Sequence, residues 1–270
     1  MCEFSVVMPV YARDRADHVR RALASVTTEQ TLKPAEVVVV SDGPIGADVE
    51  AVITGHELVR LVRLETNQGL TAALNAGLRA CRHDIVARQD ADDISLPERF
   101  ERQVPLVAAG YDLVGSDITE FTSTPDEPGE RRYMPRTASE IRAALPLRDP
   151  FNHPSVVYRA GAVRAVGGYD GPARMEDYWL FARMVAAGCA CVNVADSLVA
   201  YRVGDGAYAR RGGLDLLRTE LAMQARLRHL GVTSWSQWLR NCLVRGGYRL
   251  VPAQLRRVIY RTIGLRRIFR

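Results

Sequence analysis

Lysine is almost missing from this chain. Lys33 is the only one in 270 residues, and arginine carries the remaining positive charge. That is a compositional habit with little functional content. Cysteine is sparse: Cys2, Cys81, Cys189, Cys191 and Cys242 form no C-x-x-C pair and show no metal-ligand spacing. A cysteine-held metal is therefore not expected, and the five read as small buried thiols in a reducing cytosol. No stretch reaches the ~18 apolar residues of a membrane-spanning helix. Met1 to Tyr11 runs straight into strand-like sequence without a basic leader, so a cytoplasmic protein is expected. Repeats and low-complexity segments are also lacking. Acid is absent from the last fifty residues: 221–270 hold eleven arginines and no Asp or Glu, so within a net charge of +5 the first 220 residues are net negative. An acidic body with a basic tail is a surface-targeting pattern.

What is present begins with alternation. Glu3–Val10, Glu36–Val40, Val59–Leu64 and Ile85–Gln89 are short β-branched runs that read as buried strands. Between them lie a helical face of Val19, Leu23 and Val26, with Asp14 as its expected cap, and a second face of Leu70, Leu74, Leu78 and Cys81. The pattern predicts a parallel α/β sheet with right-handed crossovers, whose ligands bind beyond the carboxyl ends of the strands. Two acidic turns fall there. Ser41-Asp42-Gly43-Pro44 closes the second strand, and Asp90-Ala91-Asp92-Asp93 closes the fourth. Like charges that close repel, and a divalent cation with oxygen ligands, shared with a phosphate, is the usual remedy. A solvated loop capping a helix is the competing reading. Ser95 and Glu98 around Pro97 read as a capping box that starts a helix over Leu96–Ala109.

The later pattern is less regular. Asp112–Phe121 reads as a strand, residues 122–129 as a polar loop and Thr137–Leu145 as a short helix. A turn at Phe151–Pro154 precedes a strand over Ser155–Arg159, and Gly167–Asp170 forms another turn. Met175-Glu176-Asp177 opens a helix with Leu180, Phe181, Met184 and Val185 buried. Cys189–Val194 and Leu198–Val203 look like two edge strands, and residues 204–213 like a loop.

Taken in order, Pro9-Val10-Tyr11, Ser41-Asp42-Gly43, Asn67-Gln68-Gly69, Asp90-Ala91-Asp92-Asp93, Asn152-His153-Pro154-Ser155, Gly167-Gly168-Tyr169 and Glu176-Asp177-Tyr178 resemble the family 2 inverting glycosyltransferases of the GT-A fold. The resemblance covers roughly residues 3–203. It implies a catalytic domain over 1–205, with a nucleotide-sugar half at 1–93 and an acceptor half at 94–205. Residues 206–270 then form a C-terminal helical appendage. The same resemblance implies that Asp42 accepts from the imide of a uracil-like base walled by Pro9 and Tyr11. Asp90 contacts ribose or metal-bound water, and Asp92 coordinates Mg²⁺ or Mn²⁺ on the donor diphosphate. Asp93 either supports that ligand from behind or is a helix-start carboxylate. Asn67 belongs to the donor side, as a turn former rather than a ligand. Asp177, paired with Glu176, is the implied base, against a plain helix-start role. Asn152 and His153 fall on the acceptor side, where His153 either faces the acceptor or is a satisfied core residue. Arg210 and Arg211 either close over the diphosphate or are solvated.

Outside the resemblance, Trp235, Trp238, Leu239, Cys242 and Leu243 share one helical face. After an expected break at Gly246-Gly247, Leu255, Val258, Ile259 and Thr262 share another, with Arg256, Arg257 and Arg261 largely opposite. Such stretches lie on anionic membrane interfaces or pack back on their own domain. The expected function is transfer of a sugar from a UDP-type nucleotide sugar to a hydroxyl of a glycan or lipid-linked glycan. The setting is bacterial surface polysaccharide assembly, peripheral to the inner face of the plasma membrane, with no nucleic-acid partner. A sugar-1-phosphate nucleotidyltransferase is a rival, but Pro9-Val10-Tyr11-Ala12-Arg13 lacks the glycines its phosphate loop needs. A non-catalytic membrane-bound scaffold is the other.

Overall fold

A computed structural model describes residues 2–204 and 213–251. β1 (Ser5–Val10), β2 (Glu36–Ser41), β3 (Val59–Arg63) and β4 (Ile85–Arg88) lie side by side in the order 3-2-1-4, all parallel. The valine runs suit this position because both faces are covered. Val6, Met8, Val37 and Val39 pack on one side with α1 (Ala16–Val26). Val7 and Val38 face the other side, under α3 (Leu70–Ala80). That helix sits close because Gly77 has no side chain: a Cβ there would lie 2.3 Å from Val7 Cγ2. Between β2 and β3 the chain forms α2 (Ala47–Thr54), a stretch to which the sequence pattern assigned no element.

The sheet continues past β4 as β8-β6-β9-β5. β8 (Val157–Arg159) is antiparallel to both β4 and β6 (Leu113–Phe121). β9 (Cys191–Arg202) runs parallel to β6 through a bulge near Ser116–Ile118. The two expected edge strands are thus one 12-residue strand. It is interior, because the two-residue β5 (Ile94–Ser95) covers its outer side. β7 (Arg131–Arg132) pairs with β6 beside the remaining helices of this half: α4 (Arg99–Ala108), α5 (Ala138–Ala144), α6 (Ala160–Ala165) and α7 (Glu176–Ala186). α6 stands just before the Gly167 turn, where no helix was expected.

Two expected caps do not form. Asp14 leaves α1 uncapped and instead accepts the Tyr11 N–H at 2.8 Å. Ser95 is drawn into β5, and its hydroxyl bonds Gln89 at 2.7 Å and Arg99 at 2.8 Å, so α4 starts without a side-chain cap. Capping boxes form elsewhere, between Thr137 and Glu140 at α5 and between Ser234 and Gln237 at the helix over Trp235–Asn241.

Beyond β9, α8 (Leu214–His229), α9 (Trp235–Asn241), a π-helical turn (Cys242–Gly246) and α10 (Gly247–Leu250) pack on the α7 side. Gly246-Gly247 is no break, and the helix continues through both residues. Gly246 is where α8 approaches: a Cβ there would meet Leu217 Cδ1 at 3.1 Å. The division expected at 205/206 lies outside the described residues. So do Arg210, Arg211 and the face of Leu255, Val258, Ile259 and Thr262 with its arginines.

Candidate active site

The carboxyl ends of β1, β2 and β4 open into a cavity of about 410 Å³. Pro9, Tyr11, Asp42, Asn67, Asp90 and Asp92 all line it. Asp42 closes the turn before α3, its two oxygens accepting the N–H groups of Gln68 at 2.7 Å and Gly69 at 2.9 Å. Asn67 returns a bond to the Asp42 carbonyl at 3.2 Å, which fits a turn former. Gly43 must be glycine, since its φ is +82° and a Cβ would lie 2.7 Å from Asn67 N.

The acidic turn is held from beneath. Gln89 donates to the carbonyls of Asp90 at 3.0 Å and Asp93 at 2.9 Å. Arg99, fully buried, binds Gln89 and the Arg88 carbonyl, and burial beside Arg88 pulls its pKa down to about 9. Arg88 is buried too and pairs directly with Asp90. Asp92 stands exposed at the rim, yet burial of its carboxyl and the adjacent Asp90 push its pKa to about 6. Asp93 is 0% exposed. One of its oxygens takes the Arg202 N–H at 2.8 Å and the other is buried without a partner. The helix-start reading for Asp93 fails, because α4 begins six residues later, at Arg99.

A second cavity, about 420 Å³, lies on the other side of Asp90 and Leu70, which border both. Asn152, His153, Glu176 and Asp177 line it. Asn152 is fixed by its amide on the Ser116 carbonyl at 3.0 Å. His153 sits in a 3-10 turn with Nε2 3.0 Å from the Tyr169 hydroxyl and Nδ1 3.9 Å from Asp177 Oδ2. Burial and the nearby Arg88 hold His153 well below the usual histidine range, hence neutral. Asp177 heads α7, with Oδ1 accepting the Tyr178 N–H at 2.7 Å. Burial and then Glu176 raise its pKa to about 6. That suits a base working at neutral pH.

Four site residues escaped the sequence reading. Asp14 shares the first cavity, and burial, with Asp92 and Asp90 nearby, lifts it to about 7. Asp149 lines the second cavity, where burial and Asp177 hold its pKa well above the carboxylate range. Nothing in its sequence surroundings marks it. Arg88 did leave a signal, a charge inside an apolar strand directly before an acidic turn. Arg245, from the π turn, lines the second cavity and pairs with buried Glu220 at 2.6 Å. The C-terminal helices therefore contribute to the site wall.

Among the described residues no three His, Cys, Asp or Glu side chains converge into a metal cage. The donor set still suits a hard cation bound mainly through a ligand's oxygens. It offers only carboxylates, Asp92 is raised by burial and then by Asp90, and one Asp93 oxygen is orphaned.

The architecture is the GT-A fold, shared with solved glycosyltransferases. A mannosyltransferase from Pyrobaculum calidifontis, in complex with GDP-Man and Mn²⁺, aligns with TM-score 0.64 and 18% identity over 96% of this chain and 74% of that one. S. aureus TarS in complex with UDP-GlcNAc aligns with TM-score 0.67 and 16% identity over 92% and 72%. The model of glycosyl transferase family 2 matches residues 5–166, and the chain belongs to that family: it is a glycosyltransferase. Its relatives include an amylovoran biosynthesis glycosyltransferase of Erwinia amylovora, 34% identical over 95% of this chain and 97% of that protein. A UDP-Gal:α-D-GlcNAc-diphosphoundecaprenol β-1,3-galactosyltransferase of Escherichia coli is 32% identical over 97% and 96%. Family membership removes the nucleotidyltransferase and scaffold readings.

Proposed function

We propose that this enzyme transfers a sugar, with inversion, from a UDP-sugar to a hydroxyl of a lipid-linked glycan in bacterial surface polysaccharide assembly. The observation that carries this is the pair of cavities meeting at Asp90. One is lined by Asp42, Asp90 and Asp92, and the other holds Asp177. The E. coli galactosyltransferase relative, whose name gives a UDP-sugar donor and a lipid-linked acceptor, supports the choice of substrates. Asp42, already clamping the α3 turn, keeps lone pairs for a base imide, with Pro9 and Tyr11 as walls. Asp92 and Asp90 would hold Mg²⁺ or Mn²⁺, and such an ion would supply charge neutralisation for the departing nucleoside diphosphate. Asp93 stiffens the turn through Arg202. In the second cavity Asp177 takes the proton of the acceptor hydroxyl. The oxygen then forms its bond to the anomeric carbon as the bond to the diphosphate breaks on the opposite face. Neutral His153, fixed by Tyr169, walls this base without competing for its proton.

A place at the membrane surface fits the C-terminal helices. Trp235, Leu239, Leu243 and Leu250 are exposed there, each by more than half, in a region rich in arginine. Among the described residues no helix is long and apolar enough to cross a bilayer. Both alternatives for this segment are thus kept: one side packs on the domain and the other remains for lipid.

The test is donor binding. Asp92→Ala is expected to abolish the Mn²⁺ dependence of UDP affinity while thermal unfolding stays cooperative. Undiminished metal dependence in that variant would remove Asp92 from the ligand set.

A further inference from the structure

The second cavity contains a cation that transfer as described does not use. Arg174 lines it, two residues before Glu176. Its backbone sits at φ +67°, the only non-glycine residue with positive φ among those described. An L residue there is strained, and such strain collects at ligand-binding positions. The side chain is exposed, and among the described residues it has no hydrogen bond, ion pair or ring contact. Other arginines of the same wall have work within the protein. Arg132 pairs with Glu120 at 2.5 Å, while Arg245 and Arg249 share Glu220 at 2.6 and 2.9 Å. Arg148 borders the cavity as well.

A pocket for a neutral sugar needs its hydroxyls met, which the acids and amides here provide. It does not need a strained, unpaired guanidinium beside the base. We infer that Arg174, with Arg148, binds a phosphate group of the acceptor, at the link between the reacting saccharide and its lipid. This rests on the lipid-linked acceptor proposed above and adds how the protein reads it. Guanidinium suits the role because its planar fork meets phosphate oxygens in pairs. Holding the phosphate fixes which face of the saccharide reaches Asp177.

The experiment compares two synthetic acceptors with the same saccharide, one joined to an alkyl chain through a diphosphate and one through a neutral ether. Full-length parent, Arg174→Gln and Arg174→Gly are assayed at saturating donor. The glycine variant removes the charge while relieving the backbone. Both variants are expected to raise KM for the diphosphate acceptor at least ~10-fold, the scale of a lost charge-assisted bond. KM for the ether acceptor and UDP affinity should stay within about twofold. Equal effects on both acceptors, or none, would overturn the phosphate role. So would a defect in Arg174→Gln that the glycine variant repairs, since that assigns the position to backbone shape. A parent that binds UDP yet glycosylates neither acceptor overturns the lipid-linked reading itself, and the inference with it.

Discussion

In the proposed role Asp177 must be both basic and ionised, and its surroundings permit both. Burial and Glu176 bring its pKa to about 6, above an ordinary Asp but still below neutrality. A sugar hydroxyl is a poor nucleophile until its proton leaves, and a positioned base contributes about 10²–10⁴-fold. Asp177→Asn should keep near-parental UDP and metal affinity and lose single-turnover transfer by at least ~10²-fold. Parental transfer should decline below about pH 6 as the carboxyl protonates. An Asn variant within a few fold of the parent would return Asp177 to a helix-start role and send the search to Glu176. At this scale strand ends and motif order were enough to single out Asp42, Asp90, Asp92 and Asp177, which the structure places on the two adjoining cavities. Asp14, Asp149 and Arg174 were not. Their meaning lies in which cavity they face, and that depends on contacts between segments far apart in sequence.

Elements were legible where one periodicity ran undisturbed, as in β1, β2 and α3. They were misread where a tertiary partner outbid a local signal. Ser95 had the spacing of a cap but is more strongly bound by Gln89 and Arg99. Gly246-Gly247 looked like a helix break, yet the first of them makes room for α8. The same helices carry a buried ionic cluster. Glu220, 0% exposed, accepts from Arg245, Arg249 and Gln224. Breaking such a pair leaves a buried charge, at a cost of about 3–5 kcal/mol. Glu220→Ala should lower unfolding free energy by that amount in urea titration and weaken acceptor use, because Arg245 and Arg249 line the second cavity. A loss under ~1 kcal/mol would mean that the C-terminal helices are only loosely attached to the enzyme.

For the whole molecule, acid concentrated at one end of the sheet makes stability depend on pH in an unusual direction. Asp14 is raised to about 7, and Asp92 and Asp177 to about 6. Unfolded, each would titrate near ~3.9. Between those limits the folded protein holds protons that the unfolded chain has released, so stability falls as pH rises. Metal-free protein should melt highest near pH 5 and progressively lower through pH 6 to 7. Mn²⁺ with UDP should flatten the curve. A metal-free Tm that climbs from pH 5 to 7 would contradict the raised values. The charge asymmetry of the chain was plain in its composition, but which side of the C-terminal helices faces outward was not. Binding to anionic vesicles should be measurable and should weaken with salt, since arginine attraction is screened over ~10 Å at 0.1 M. Leu239→Glu with Leu243→Glu should abolish it without altering UDP affinity. Vesicle binding that survives the double change would place the lipid contact elsewhere.

Leu70 and Asp90 form a wall common to both cavities. A shared wall makes the two substrates thermodynamic partners. Any factor by which a bound donor changes acceptor affinity must equal the factor by which acceptor changes donor affinity. Asp90 gives that factor a sign. With the proposed cation in place, a donor diphosphate would withdraw the carboxylate's field from the second chamber, so the anionic acceptor inferred above would meet less repulsion once the donor is seated. Each substrate then tightens the hold on the other by one and the same factor, and the pair leaves for water less readily than either alone.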